Sequence, residues 1–329
     1  MNLEKIARMA GVSRSTVSRV INNHPYVSED IRQRVLAVIE REGFQPNAAA
    51  RMLVRQKTDV IAVIAPQGLG AVLSEGYFPI LITAISSTIS QADYAMSLWA
   101  GTTTEESQRM YKRILGYKLM DGALLISAVE GDPLPQRLIE RKMPLVIIGP
   151  SSIPEISTVD VNNVQAARTA TEHLIRLGKR RIAHIKGQMS IFATRERFRG
   201  YREALEGGGL PYDPELVIDG DFSELSGSVA AQKLIPRQVD GVFASNDQMA
   251  IGFVRAALER GLSLPGDVSV VGFDDLPIAS TFMPSLTTMR QPIREIGVTA
   301  TRMLLGIVDG SITEPQHMML TTELVVRQT

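Results

Sequence analysis

From Ser13 to Arg19 the chain reads Ser-Arg-Ser-Thr-Val-Ser-Arg, two guanidiniums and four hydroxyls in one helix-sized stretch. An arginine can meet guanine O6 and N7 with two parallel hydrogen bonds, and Ser or Thr hydroxyls suit phosphates or base edges. Spacing decides whether such groups act together. At about 100° per residue, Arg14, Ser18, Ser15 and Arg19 fall within an arc of about 140°, with Val17, Val20 and Ile21 opposite. One face can anchor while the other offers donors to a DNA groove. The plain alternative is the solvated face of an ordinary helical bundle.

A second set of polar residues stands far downstream, each just past a short apolar run. Asn246 and Asp247 follow Phe243-Ala244, and Asp274 follows Val270-Val271 across Gly272-Phe273. Arg195 and Arg197 lie in the stretch after Ile185, and Asp221-Phe222 after Ile218. An amide, carboxylates, guanidiniums and an aromatic ring are the chemistry of polyol binding: paired donors and acceptors for hydroxyls, an apolar face for ring carbons. Each has a plainer use. Asn246 and Asp247 can cap the next helix, Arg195 can pair with Glu196 or lie at the surface, and Tyr77 and Phe78 can be core.

The elements that must position these groups follow from periodicity and punctuation. Asn2 can cap a helix reaching Met9, Gly11 breaks it, and Ser13 caps a second from Arg14 to Asn22. Ser28 can cap a third, Glu29 to Glu42, stopped by Gly43. Small Ala7, a glycine that allows a tight turn, and inward Val17 make a helix-turn-helix pattern. Pro46 opens a new segment, Asn47 can cap it, and Ala48 to Gln56 favours helix. It is shorter than the roughly 12–15 residues that stand alone in water, so it needs a partner to pack on. The alternative is a plain linker.

From Asp59 onward strands and helices alternate. Apolar runs at Val60–Ala65, Tyr94–Trp99, Ala123–Ile126, Leu145–Ile148, Arg181–Ile185, Glu215–Ile218, Gly241–Ala244 and Val268–Val271 predict strands. Between them, 80–91, 104–118, 135–141, 164–177, 194–206, 226–234 and 248–260 predict helices. Continuous apolar strands between helices imply parallel sheets with helices on both faces. Eight or more units exceed one sheet, so two α/β lobes are expected, meeting near Asp160; a single large enzyme domain is the alternative. Ligands of such sheets sit beyond the strand C-termini.

The 329 residues fit roughly two domains with room for a small third. Apolar residues make up 44% and charged residues 21%. The formal charge is zero, with 35 basic and 35 acidic residues, which on its face argues against nucleic acid. The sum conceals an asymmetry. Residues 1–58 hold ten cations (Lys5, Arg8, Arg14, Arg19, Arg32, Arg34, Arg41, Arg51, Arg55 and Lys57). Against them stand five anions (Glu4, Glu29, Asp30, Glu40 and Glu42), a net of +5. The remaining 271 residues carry 25 and 30, a net of −5.

With no cysteine, disulfides, thiolate metal sites and cysteine nucleophiles are excluded, which suits a reducing cytoplasm. Met1–Lys5 has no apolar run that would open a signal peptide, and no stretch of about 18 apolar residues predicts a membrane span. Phosphate and nucleotide signatures are missing: Gly68-Leu69-Gly70 is followed by Leu73 rather than a third glycine. There is no nucleophile elbow. His24, His173, His184 and His317 lack metal-ligand spacing, and the last three read as structural. No catalytic residue, cofactor or metal is expected.

The stretches Ile6-Ala7, Ala10-Gly11-Val12-Ser13 and Thr16-Val17-Ser18-Arg19-Val20-Ile21-Asn22 resemble the lactose-repressor (LacI/GalR) family of bacterial transcription regulators. So do Val27-Ser28-Glu29-Asp30-Ile31-Arg32 with Val35, and Pro46-Asn47-Ala48-Ala49-Ala50-Arg51-Met52-Leu53. Lys5 departs from the Asp usual there. The likeness continues to the C-terminus. It implies a helix-turn-helix domain at 1–45, a hinge helix or linker at 46–58, and a two-lobed, periplasmic-binding-protein-like body at 59–329. One lobe would take 59–160 and 292–320, the other 161–291 and 321–329, with helix Ile293–Val308 returning to the first and strand Leu324–Arg327 to the second. It implies DNA contacts by Ser13, Arg14, Ser15, Thr16, Ser18, Arg19 and Asn22, and by Asn47, Ala50, Arg51 and Leu53 of the hinge, Leu53 wedging into a minor-groove step. It implies effector contacts by Arg197, Asn246 and Asp274, stacking by Phe222, and an aromatic pair at Tyr77 and Phe78; Arg195 is placed with them. Gly149 stands where some sugar-responsive members carry Asp.

The expected molecule is a cytoplasmic homodimer that binds double-stranded, pseudo-palindromic DNA as a repressor. A small molecule, a sugar or sugar derivative, would control it. No heptad tail points to a tetramer. A sugar-transport protein or an α/β sugar-modifying enzyme is the alternative; the first would not need residues 1–58 and the second lacks its phosphate or nucleotide motif.

Overall fold

The computed structural model describes residues 2–21, 24–44, 57–66, 76–101, 104–117 and 119–329. The chain divides into two compact units, Met1–Thr58 and Asp59–Thr329.

The first unit holds three helices, α1 (Leu3–Ala10), α2 (Arg14–Ile21) and α3 (Glu29–Arg41). The Asn2 carboxamide starts α1 by accepting the Lys5 backbone N–H at 3.0 Å. Gly11 ends it at φ +65°, a conformation open to glycine at little cost. Ser13 then caps α2, its Oγ accepting the Thr16 N–H at 3.1 Å. Ser28 stands at the start of α3 without a side-chain cap; only its carbonyl serves, accepting from Arg32 at 3.0 Å. Ile6, Ala7, Ala10, Val17, Val20, Val35 and Val38 form the core. Asn22 and residues 45–56, which include Asn47, Ala50, Arg51 and Leu53, lie outside the described residues.

The second unit is built on two sheets. The first contains β1 (Val60–Ala65), β2 (Ala95–Ala100), β3 (Gly122–Ile126), β4 (Leu145–Ile148), β5 (Ser157–Val161) and β11 (His317–Leu320). Its order is β11-β5-β4-β3-β1-β2, all parallel. The second contains β6 (Ile182–Lys186), β7 (Val217–Asp219), β8 (Gly241–Ala244), β9 (Ser269–Asp274), β10 (Thr287–Arg290) and β12 (Glu323–Val325). Its order is β12-β10-β9-β8-β6-β7, parallel except for the β10–β12 pair.

Side chains alternate across a strand, and β1 shows why its run is apolar throughout. Ile61, Val63 and Ala65 pack under α4 (Tyr77–Gln91) and α12 (Ile293–Asp309). Ala62 and Ile64 pack on the opposite face against α5 (Thr104–Gly116) and α6 (Leu134–Glu140). The second sheet is covered in the same way by α7 (Asn163–Arg176) and α8 (Phe192–Gly207) on one face. On the other lie α9 (Glu224–Leu234), α10 (Asp247–Glu259) and the short α11 (Pro277–Thr281).

Three strands escape the apolar pattern, because β5, β10 and β11 carry Ser, Thr, Asp, Arg or His. Their hydroxyls have dedicated partners. Ser157 Oγ accepts the Gln316 N–H at 3.1 Å, and Thr158 Oγ1 bonds His317 Nδ1 at 3.1 Å. Thr287 Oγ1 donates to the Thr329 carbonyl at 3.1 Å, and Thr288 Oγ1 to Asp247 Oδ1 at 2.5 Å. A satisfied hydroxyl can be buried in a strand where an unpaired one could not. The final strand spans Glu323–Val325 rather than the Leu324–Arg327 expected.

The chain passes between the sheets three times: from β5 to α7, from β10 to α12, and from β11 to β12. The strands that cross are the outermost pair of each sheet.

Candidate functional site

On the first unit, α2 presents its polar arc outward. Ser13, Arg14, Ser15 and Arg19 are exposed, Thr16 and Ser18 half-buried, and Val17 and Val20 buried in the core. Ser13 Oγ also bonds the hydroxyls of Ser15 at 2.7 Å and Thr16 at 2.8 Å, which orders the N-terminal turn. Arg14 lies 3.7 Å from Glu4, both well exposed, a pairing weak enough to yield to a phosphate.

On the second unit, a cavity of about 160 Å³ lies between the lobes, beyond the carboxyl ends of both sheets. The first lobe contributes Tyr77 and Phe78 from the first turn of α4, Ser127 after β3, Gly149 after β4, and Asp160 in β5. The second lobe contributes Gln188 after β6, Thr194 and Arg197 of α8, Asp221 and Phe222 after β7, Asn246 after β8, Asp274 ending β9, and Gln291 after β10. Of the residues singled out in the sequence, Tyr77, Phe78, Arg197, Phe222, Asn246 and Asp274 converge here.

Arg195 does not line the cavity. Its Nη1 donates to Glu130 Oε1 at 2.9 Å, its Nη2 also pairs with that carboxylate, and its Nε donates to the Met189 carbonyl at 2.6 Å. The helical period separates the two arginines. Thr194, Arg197, Tyr201 and Ala204 share the buried face of α8, and Arg195 points elsewhere. Its site is instead a contact between lobes: Glu130 N–H donates to the Ser190 carbonyl at 2.9 Å, and Val129 bridges Ile191.

Arg197 is buried and held on three sides. Nε donates to Asn163 Oδ1 at 2.9 Å, Nη1 to the Ser245 carbonyl at 2.5 Å, and the guanidinium lies 3.7 Å above the Phe273 ring. Five donors serve two hydrogen bonds here, so donors remain. Burial pulls its pKa down, opposed by Asp274. Asp274 has φ +117°, a backbone that non-glycine residues adopt chiefly under functional constraint. Its carboxylate accepts from Gln291 Nε2 at 2.6 Å. Burial raises its pKa to about 6, against the lowering by Arg197 and Gln291.

Asp160 accepts from Asn163 Nδ2 at 3.2 and 3.3 Å. Burial lifts it to about 7, helped by Glu196 and opposed by the Val161 N–H, Arg197 and Asn163. Behind Asp274 lies Asp247, wholly buried and raised by burial and by Asp274. It accepts from Thr288 Oγ1 and, at 2.7 Å, from the Leu276 N–H. The Tyr77 hydroxyl is pushed up by burial and by Asp274 and Asp160, so it stays a donor.

Asn246 takes the plainer of the two roles open to it in the sequence, the helix cap, while also lining the cavity. Its Oδ1 caps α10 by accepting the Met249 N–H at 2.9 Å, and its Nδ2 donates to the Phe222 carbonyl at 2.8 Å. Phe222 has φ +68° and its ring lies over Gly187; a Cβ there would stand 2.1 Å from Phe222 Cζ. Glycine is thus required at 187 for the ring to seat. His184 is structural: buried, stacked 4.8 Å from Phe243, and lowered to about 3 by desolvation.

Sequence reasoning missed Asp160, Asn163, Thr194 and Gln291. Asp160 lies in β5, Asn163 just after it and Gln291 just after β10, the strands hidden by their polarity. Thr194 was recoverable, since it lies three residues before Arg197 on one helical face.

The two units define a class: a helix-turn-helix reader on one chain with a two-lobed body that encloses a polar cleft. The family model of bacterial regulatory proteins, lacI family, matches residues 2–47, and that of a periplasmic binding protein-like domain matches 171–329. The HTH-type transcriptional regulator CelR of Thermobifida fusca is 38% identical over 99% of this chain and 97% of its own length. A solved CelR–cellobiose complex superposes with a TM-score of 0.78 at 36% identity, covering 100% of this chain and 99% of that one. The lac repressor dimer bound to operator and the anti-inducer ONPF gives 0.86 at 27% identity, covering 100% and 98%. The chain belongs to the lacI family of bacterial regulatory proteins. It is a DNA-binding transcription regulator controlled by a small-molecule effector.

Proposed function

We propose that the chain is a homodimeric repressor, without enzymatic activity, whose operator affinity is set by a sugar held between the lobes. The reading places it in the cytoplasm; among the described residues no helix is long and apolar enough to cross a membrane. One observation carries the effector assignment. A buried guanidinium, buried carboxylates and an amide meet Tyr77 and Phe222 in one cavity beyond the strand ends. Arg197 and Asp274 clamp hydroxyls, and Phe222 offers its face to ring carbons.

The two α2 helices of a dimer would enter successive major grooves of a pseudo-palindromic site, Arg14 and Arg19 toward base edges and Ser13 toward phosphate. Ser13, Arg14, Ser15, Thr16, Ser18 and Arg19 make this surface, extended by Asn22. In the hinge segment 46–58, Asn47, Ala50, Arg51 and Leu53 add minor-groove contacts. The sugar acts by binding the closed and open cleft with different affinity, since only a differential can shift the equilibrium.

Fluorescence anisotropy on labelled operator-like DNA, with and without cellobiose or ribose, tests the reading. A sugar-dependent shift in DNA affinity is expected. Tight, sugar-indifferent DNA binding would reject the effector assignment, and turnover of the sugar would reject the non-enzyme one.

A further inference from the structure

We propose that the Thr194 hydroxyl is a direct hydrogen-bonding contact for the effector, in a cavity that selects uncharged sugars over phosphorylated or carboxylated ones. The inference rests on the reading above that a sugar occupies this cavity.

Thr194 is 1% exposed, and among the described residues its Oγ1 is the buried side-chain polar atom with no hydrogen-bond partner. Buried hydroxyls are rarely left so. Other helical threonines of this chain show the usual remedy, donation to the carbonyl four residues back. Thr88 donates to Ala84 at 2.8 Å, Thr171 to Ala167 at 2.9 Å and Thr301 to Gly297 at 2.7 Å. The equivalent carbonyl for Thr194 is that of Ser190, which instead accepts the Glu130 N–H from the opposite lobe at 2.9 Å. Thr194 lines the cavity beside Arg197. Its hydroxyl is therefore a donor and acceptor held ready for a bound molecule.

The charges around it choose the molecule. The lining carries the carboxyl groups of Asp160, Asp221 and Asp274 against the single guanidinium of Arg197. The nearest extra cation of α8, Arg195, is engaged by Glu130. A phosphate or carboxylate would need free, convergent cationic donors, and would meet like charge from Asp221 and Asp274. Hydroxyl groups suit the same lining, because each can donate to an ionised carboxylate and accept from a protonated one.

Calorimetry on the full chain decides this with glucose, cellobiose and ribose as neutral probes and glucose 6-phosphate and gluconate as anionic ones. At least one neutral probe is expected to bind, with its anionic derivative at least tenfold weaker. Thr194→Val keeps the shape and removes the hydroxyl, so affinity for that probe should fall about tenfold. Thr194→Ser should stay within a few-fold of the parent. The ligand-free Tm separates roles: Thr194→Val should hold or raise it, whereas a structural hydroxyl would make it fall. Preferential binding of an anionic probe overturns the inference and leaves the sugar reading standing. So does a Thr194→Val variant with parental affinity. If no probe of either kind binds, the sugar reading falls and the inference with it. Should Thr194→Val not fold, the probe panel on the parent and on Thr194→Ser still decides.

Discussion

The two lobes share one plan and divide one task. Each is a six-stranded sheet with the same order of connection, its fifth strand and its late-returning strand at one edge. Each brings the ends of its strands to the same cavity. What they bring differs. The second lobe supplies the guanidinium, the amides, Phe222 and most of the carboxylates. The first supplies Tyr77, Phe78, Ile148, Val159 and Ile296, with Asp160 as its one charged group at the cavity. Equal folds thus carry unequal chemistry: one lobe holds polar groups in fixed hydrogen-bond networks, while the other mostly closes over them. Affinity should therefore reside in the second lobe, and closure in the contacts between the two.

Asp274→Ala attacks the richer lobe and should cost the most. Loss of a charged hydrogen-bonding group predicts roughly 100-fold weaker effector binding by calorimetry. Unchanged affinity would remove Asp274 from the site and with it the unequal division. Tyr77→Ala probes the poorer lobe and should cost about tenfold, mainly through lost ring contact. If it cost more than Asp274→Ala, the comparison would reverse.

Asp160 is the exception in the first lobe, and pH isolates it. Its folded pKa of about 7 lies above the unfolded value of ~3.9. Between those limits the folded protein keeps a proton that the unfolded chain has released. Ligand-free stability should consequently fall as pH rises from about 4 to about 7, by up to ~1.4 kcal/mol per pH unit from this group. Chemical denaturation of parent and Asp160→Asn across that range should give curves that diverge. Parallel curves would show that the carboxyl is solvated.

The smallest effect is expected at the rim. Glu130→Ala removes the partner of Arg195, both partly exposed, so a two- to threefold faster effector dissociation by stopped-flow is expected. A large change would move weight from the second lobe to the seam.

Most of this arrangement is legible in the amino-acid sequence. Strands such as Val60–Ala65 and Gly241–Ala244 are buried on both faces, so an unbroken apolar run marks them, and the polar residues just after them mark the cleft. Arg197, Asp274 and Asn246 were found that way. What could not be read was polarity satisfied at a distance. Thr158 is answered by His317 and Thr288 by Asp247, partners more than 40 residues away, so no apolar run marks β5 or β10, and nothing local marks Asp160 and Gln291 as cavity residues. Arg195 and Arg197 were distinguishable only by which side of α8 each takes.

One topological detail bears on how such a body can move. Three stretches of chain tie the lobes together, and all three leave from the outer strands of the two sheets. Ties set side by side along one border resist sliding, and they resist rotation about the long axis, since either would stretch at least one of them. Bending about the line they define is the motion left cheap. Whatever enters the cavity can therefore report its presence through a single variable, the angle between two rigid plates.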